Sequence, residues 1–123
     1  MQQVILGKTG IRVNKNGFGA LPIQRISKKD ASTLLLKAYD NGITFFDTAR
    51  FYTDSEEKLG EALSFARSHI IIATKTGAVT AEGFQKDLET SLRLLKTDYI
   101  DLYQFHNPAF CPKPEDGSGL YEA

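Results

Sequence analysis

Apolar and polar positions along the chain follow two alternating periods. Ile43-Thr44-Phe45-Phe46, Ile70-Ile71-Ile72-Ala73-Thr74 and Ile100 to Phe105 are runs rich in β-branched and aromatic residues and predict strands. Between them the pattern turns helical. Leu34, Leu35, Ala38 and Tyr39 make the apolar stripe of a helix that opens at Ser27-Lys28-Lys29-Asp30 and closes at Asn41-Gly42, with Ser27 as N-cap and Asp30 in the first turn. A second helix, capped at Ser55-Glu56-Glu57, places Leu59, Ala62, Leu63 and Ala66 on one face. A third, capped by Thr80, aligns Phe84, Leu88, Leu92 and Leu95. Upstream, residues 3–13 predict a hairpin turning at Gly7-Lys8-Thr9-Gly10. Gly17 and Gly19 then flank Phe18 in a short strand and loop where backbone can approach a ligand closely. Downstream, Asn107 to Gly119 is loop in composition, and Leu120-Tyr121-Glu122-Ala123 reads as the first turn of a helix.

Strands separated by helices of this length predict βαβ units and a parallel sheet, and the near-continuous apolar strands fit a sheet covered on both faces. Periodicity alone admits both an open doubly wound sheet and a closed barrel. Gly17-Phe18-Gly19 lacks the third glycine and the prompt helix of a dinucleotide-binding turn. With 123 residues, residues 1–123 form one domain. Hydrophobic content of 41% and charged content of 24% are ordinary for a soluble protein. Fifteen basic and fifteen acidic residues leave no global field to attract nucleic acid or a membrane surface. No apolar run reaches a membrane span and no signal peptide is visible, so the expectation is a cytoplasmic protein. The lone cysteine, Cys111, excludes an internal disulfide and a thiolate metal cage.

The chemistry collects at the strand ends. Ile43–Phe46 runs into Asp47, with Tyr52 five residues on; Ile70–Thr74 runs into Lys75, and Ile100–Phe105 into His106. In a parallel α/β sheet all carboxyl ends lie on one side, where ligands bind. Alternate residues share a face, so Asp47 goes with Phe45, Lys75 with Ala73, and His106 with Gln104. A phenol of ordinary pKa near ~10 is a poor acid at neutral pH. An ammonium beside Tyr52 favours its phenolate, Asp47 would keep that ammonium charged, and His106 could hydrogen-bond a substrate oxygen. The set suits an oxygen that gains negative charge, such as a carbonyl receiving hydride.

Asp47-Thr48-Ala49-x-x-Tyr52, Ala73-Thr74-Lys75 and Tyr103-Gln104-Phe105-His106 resemble the Asp-Tyr-Lys-His tetrad of the aldo-keto reductase family. Leu6-Gly7-Lys8-Thr9-Gly10, Gly17-Phe18-Gly19 and Leu59-Gly60-Glu61-Ala62-Leu63 are similar to that family too, in collinear order from about residue 3 to the last. The resemblance implies an α/β fold of the (β/α)8 TIM-barrel type, with a hairpin closing the barrel's bottom. Only that hairpin and about four of the barrel's eight βα units are present. It also implies NADPH-dependent reduction of an aldehyde or ketone. By it, Tyr52 is the general acid, Lys75 and Asp47 its tuners, and His106 the group that orients the carbonyl. Asp47 lies near the nicotinamide ribose; Gly19 and Ala20 are assigned with it to the cofactor, and Asn107 to the substrate pocket. The family's later strands, which grip the rest of the cofactor, have no counterpart here.

Other polar residues draw plainer readings. His69 precedes its strand and lies on the stability side; Asp101 predicts a salt bridge facing a helix; Cys111 is an unreactive surface thiol, and Arg50 an exposed loop arginine. Alternatives to a reductase are a non-catalytic half-barrel, and an aldolase-like barrel with Lys75 forming an imine. The open edges of such a section predict either a truncated piece or self-association of two copies.

Overall fold

Each predicted strand forms, displaced toward its polar end. The computed structural model describes residues 2–123. In chain order it carries β1 (Gln3–Ile5), β2 (Arg12–Asn14), β3 (Phe18–Gly19), α1 (Lys28–Asp40), β4 (Phe45–Asp47), α2 (Ser55–Leu63), β5 (Ile71–Thr76), α3 (Ala81–Leu95) and β6 (Leu102–Phe105). Short 3-10 turns span Leu21–Arg25 and Ser64–His69. Ile43, Thr44 and Ile70 fall outside the ladders, while Asp47, Lys75 and Thr76 fall within them. The register explains the shift. Phe45 pairs with Ile71 and Asp47 with Ala73, whereas Lys75 and Thr76 find Gln104 and Phe105 on the next strand. A strand continues while its neighbour offers partners.

β1 and β2 make the antiparallel hairpin, with Val4 opposite Val13. β3, β4, β5 and β6 form a separate parallel sheet in sequence order. A doubly wound sheet reverses its strand order at a switch point. This one never does, and α1 packs on α2 and α2 on α3 in succession along the sheet. The hairpin is tied below the sheet by buried Asn14, which donates to Gly42 O and accepts from Thr44 Oγ1 at 2.9 Å.

The helix ends follow local chemistry. Ser27 Oγ accepts from Asp30 N at 3.0 Å and Thr80 Oγ1 from Gly83 N at 3.1 Å, the two predicted N-caps. α2 departs from the prediction. Its cap position is Asp54, and Ser55 is wholly buried, bonded to Thr48 Oγ1 and to Ala20 O. On α1, Leu34 is 43% exposed, because Ala31 and Leu35 are the buried positions and Leu34 lies about 100° round the helix from Leu35. Leu120–Glu122 make a single helical turn, with Ala123 N bonded to Gly119 O at 3.1 Å.

The core lies between sheet and helices. Phe46 and Ile72 on the sheet meet Leu35, Leu59, Leu63 and Leu95, each essentially without solvent contact. Burial of one such leucine contributes about 1.5–3 kcal/mol. Gly60 sets how closely α2 approaches the end of α3. A Cβ there would stand 2.2 Å from Leu94 O, a backbone atom that cannot swing aside. Gly60→Ala is therefore expected to destabilise the chain by about 1–3 kcal/mol through overpacking, despite alanine's better helix propensity. Urea denaturation of the two proteins side by side measures it.

Candidate active site

β4, β5 and β6 end at the same sheet edge, and strand pleating sorts what they deliver. Phe46, Ile72, Thr74 and Thr76 are buried against the helices. Phe45, Asp47, Lys75, Gln104 and His106 occupy the alternate positions and are only partly buried. At the edge, Lys75 Nζ donates to Asp47 Oδ1 and Oδ2 and to Thr48 O, each at 2.8 Å. All three ammonium hydrogens thus have an acceptor. The pair is only partly in solvent, with the Lys75 and Asp47 side chains 16% and 38% exposed.

Tyr52 folds back over this pair from the following loop. Its ring centroid lies 5.6 Å from Lys75 Nζ and 5.6 Å from the His106 ring, edge to face at 85°. Phe51 flanks the other side of His106 at 6.1 Å. The His106 backbone is fixed by its N–H to Thr76 O at 2.8 Å. His106 Nδ1 and Gln104 Oε1 are buried atoms without a hydrogen-bond partner among the described residues. Two unmatched polar atoms beside a cation and a phenol mark a place where a polar ligand would be satisfied. The four side chains singled out from sequence, Asp47, Tyr52, Lys75 and His106, are therefore gathered in one place.

The loop that carries Tyr52 is held from both sides. Thr48 N donates to Ala73 O at 2.8 Å, Arg50 N to Lys75 O at 2.9 Å, and Ser55 N to Tyr52 O at 2.7 Å. The first turn of α2 supplies the side-chain ties. Glu56 is 0% exposed and accepts from Arg50 Nη1, and from Thr74 Oγ1 and Ser91 Oγ at 2.6 Å each. Lys58, 4% exposed, donates to Ile23 O and Ile26 O at 2.9 and 2.7 Å and pairs with Asp54. These residues were invisible as site members in the sequence. Arg50 is corrected accordingly: it is not a solvated loop arginine, since its side chain is 20% exposed and committed to Glu56. The available signal was Thr74 and Ser91, hydroxyls at helix- and sheet-facing positions that demand a buried polar partner.

The remaining assignments divide. Gly19 is exposed, with open space where a Cβ would stand. Ala20 is closed: it is 0% exposed, its N–H donates to Asp47 O at 2.8 Å and its carbonyl accepts from Ser55, so it offers a ligand no surface. Asn107 is exposed at φ +46° and lines a cavity of about 190 Å³ with His106 and Phe110. A larger cavity of about 390 Å³ lies between Arg50, Phe51, Gly77, Lys86 and Asp87. His69 sits exposed at the opposite end of β5. Asp101 Oδ2 accepts from Arg67 Nη2 at 2.7 Å and from Ile72 N at 2.9 Å, the predicted salt bridge. Cys111 is exposed, its Sγ only 3.9 Å from Pro112 O. Among the described residues no helix is long and apolar enough to cross a membrane.

The model of the Aldo/keto reductase family matches residues 15–119. L-galactose dehydrogenase of Arabidopsis thaliana is 38% identical over 120 residues, which cover 85% of this chain and 38% of that protein. An aldo-keto reductase from Bacillus halodurans, solved in its holo form, superposes with a TM-score of 0.82 at 32% identity, covering 86% of this chain and 40% of the other. One from Klebsiella pneumoniae, solved in complex with NADPH, gives a TM-score of 0.73 at 28% identity, covering 84% and 38%. The chain spans about two fifths of the length of the curated relatives it matches. Its sheet and helices are those of part of a (β/α)8 barrel.

Behind the site, the Tyr103 hydroxyl is buried between β6 and α3 beside Thr76, without a well-formed hydrogen bond among the described residues, its ring against Phe84 at 5.1 Å. Burial pushes the Tyr103 phenol above its ordinary 10.0; Thr76 beside the hydroxyl opposes the shift and the charge of Asp87 adds to it. The unfolded chain ionises first, so this contribution to stability is complete below pH 10.0 and is lost as pH rises through the folded-state value. Tyr103→Phe is expected to be near neutral at pH 7, because the buried hydroxyl it deletes lacks a well-formed hydrogen bond. It should also flatten the fall in stability above pH ~10, as read from melting temperature across an alkaline pH series.

Proposed function

We propose that this chain, which belongs to the aldo/keto reductase family, carries the acid–base half of an NADPH-dependent carbonyl reductase. The observation that carries the reading is that Tyr52 lies against both His106 and a Lys75 ammonium whose hydrogens are all engaged by Asp47 and Thr48. The exposed Gly19 backbone and the Asp47 carboxylate are the groups here suited to the cofactor, and Gln104 Oε1 and His106 Nδ1 are the unmatched atoms a ligand would meet. NADPH supplies the hydride that the carbonyl carbon receives.

The residues of this chain then divide the proton work. His106 donates a hydrogen bond to the substrate carbonyl oxygen and fixes its direction. Tyr52 gives its phenolic proton to that oxygen as negative charge develops there. Lys75 stabilises the phenolate left behind, and Asp47 keeps the ammonium in place. Phe51, at 72% exposed, stands edge-on beside His106 at the mouth of the site. The hydrogen bonding of Lys75 also weighs against imine chemistry, because an attacking amine needs a free lone pair and this nitrogen is surrounded by acceptors. A half-barrel that keeps the fold without turnover is the competing reading, favoured by the share of its relatives' length that the chain spans.

Two measurements on the 123-residue chain separate these. NADPH fluorescence titration reports binding, and loss of NADPH absorbance with an aromatic aldehyde reports reduction. Tyr52→Phe is expected to lower kcat by about 10²–10⁴, the usual worth of a general acid, with the NADPH affinity unchanged. An unmodified chain that binds no NADPH sinks the reductase reading and leaves the half-barrel.

A further inference from the structure

We infer that the Arg50–Glu56 pair is a positioning device that fixes Tyr52 over Lys75 and His106. Its kinetic consequence rests on the reductase reading above; its structural consequence does not. Three observations converge on it. Arg50 is tied at both ends, its backbone N–H to Lys75 O at 2.9 Å and its guanidinium to Glu56. The second arm of the same guanidinium, Nη2, donates to Thr53 O at 3.2 Å. Thr53 follows Tyr52 directly and sits at φ +38°, a left-handed conformation that a β-branched residue adopts only when its surroundings hold it. Arg50 thus holds the strand end that carries Lys75 through its backbone, and through its guanidinium it ties the strained turn after Tyr52 to Glu56 of α2.

Glu56 is what makes Arg50 rigid. Its carboxylate has no solvent contact and is braced by Thr74 from β5 and Ser91 from α3, so it cannot follow a mobile loop. A planar guanidinium between a fixed carboxylate and a carbonyl has one geometry available, which a lysine's single ammonium does not reproduce. The pair faces away from the carbonyl site, since Thr74 and Ser91 belong to the layer between sheet and helices. Arg50 and Glu56 therefore act through Tyr52 and do not themselves touch substrate.

The test compares the unmodified chain with Arg50→Met, Arg50→Lys and the double variant Arg50→Met/Glu56→Gln. The double variant guards against unfolding, because it removes both charges and leaves no buried carboxylate unpaired. Amide hydrogen exchange and the nuclear Overhauser contact between the Tyr52 and His106 rings are read in each. In Arg50→Met and in the double variant, protection at Tyr52 and Ser55 should fall about tenfold or more while β5 and α1 keep theirs. The ring contact should weaken with it, and Arg50→Lys should restore part of both. Where the unmodified chain turns over, kcat should fall at least about tenfold, with KM for NADPH within about twofold, because a misplaced acid costs the transition state and not cofactor binding. Unchanged protection and ring contact in the double variant, or an even loss of protection throughout the molecule, would overturn the inference. A loosened loop in a chain that shows no turnover at all would leave the positioning intact and refute only the reductase reading.

Discussion

A carboxylate without access to water constrains this structure more than any other group. Removing an ion from water costs several kcal/mol unless its surroundings replace the lost hydration. Glu56 meets that cost with a guanidinium and two hydroxyls, drawn from a loop, a strand and a helix. Each donor is in turn fixed by the element that bears it. Thr74 must sit on the helix side of β5, Ser91 on the sheet side of α3, and Arg50 within reach of both. The adjoining turn of α2 repeats the principle with Ser55 and Lys58, which bind the carbonyls of Ala20, Ile23 and Ile26. The layer between sheet and helices is therefore partly polar, and that polar seam aligns the loops above it.

Pleating gives the site its second constraint. Neighbouring residues on β5 have opposite fates: Thr74 is bound into the seam, while Lys75 emerges at the open face and meets Asp47. One ladder thus supports the fold with one residue and presents chemistry with the next. Slippage of the register by a single position would exchange the two, burying an ammonium and exposing a hydroxyl. The pairing of Asp47 with Ala73 and of Lys75 with Gln104 is what prevents it.

Much of this was legible in the chain. The strands, the hairpin and the delivery of Asp47, Lys75 and His106 to one edge follow from local period and parity, the Ser27 and Thr80 caps from residue type, and the place of Tyr52 from its position in the loop after Asp47. What escaped has a common physical cause. A first-turn acid such as Glu56 looks like a cap favoured by the helix dipole, and nothing local says that it points inward to a hydroxyl contributed from 35 residues away in sequence. Arg50 looks solvated for the same reason, since its partner is invisible without tertiary contact. Ala20 falls to the cofactor only by the resemblance, and its 0% exposure, with its carbonyl bound by Ser55, depends on tertiary contacts that the local sequence does not show. Leu34 shows the limit of a stripe counted by eye, because a helix packed on one neighbour and a sheet buries a narrower face than its apolar residues could cover.

The strands of the parallel sheet stand side by side in the order in which they occur along the chain. Every ladder therefore closes over one intervening helix and no farther, which keeps loop-closure entropy small and folding rapid for a parallel sheet. The same order has a temporal meaning during synthesis. The β4–β5 ladder, with Asp47 and Lys75, does not depend on β6, so the cation and its counter-ion can meet before that strand has emerged. His106 follows with β6, and its imidazole then meets Tyr52.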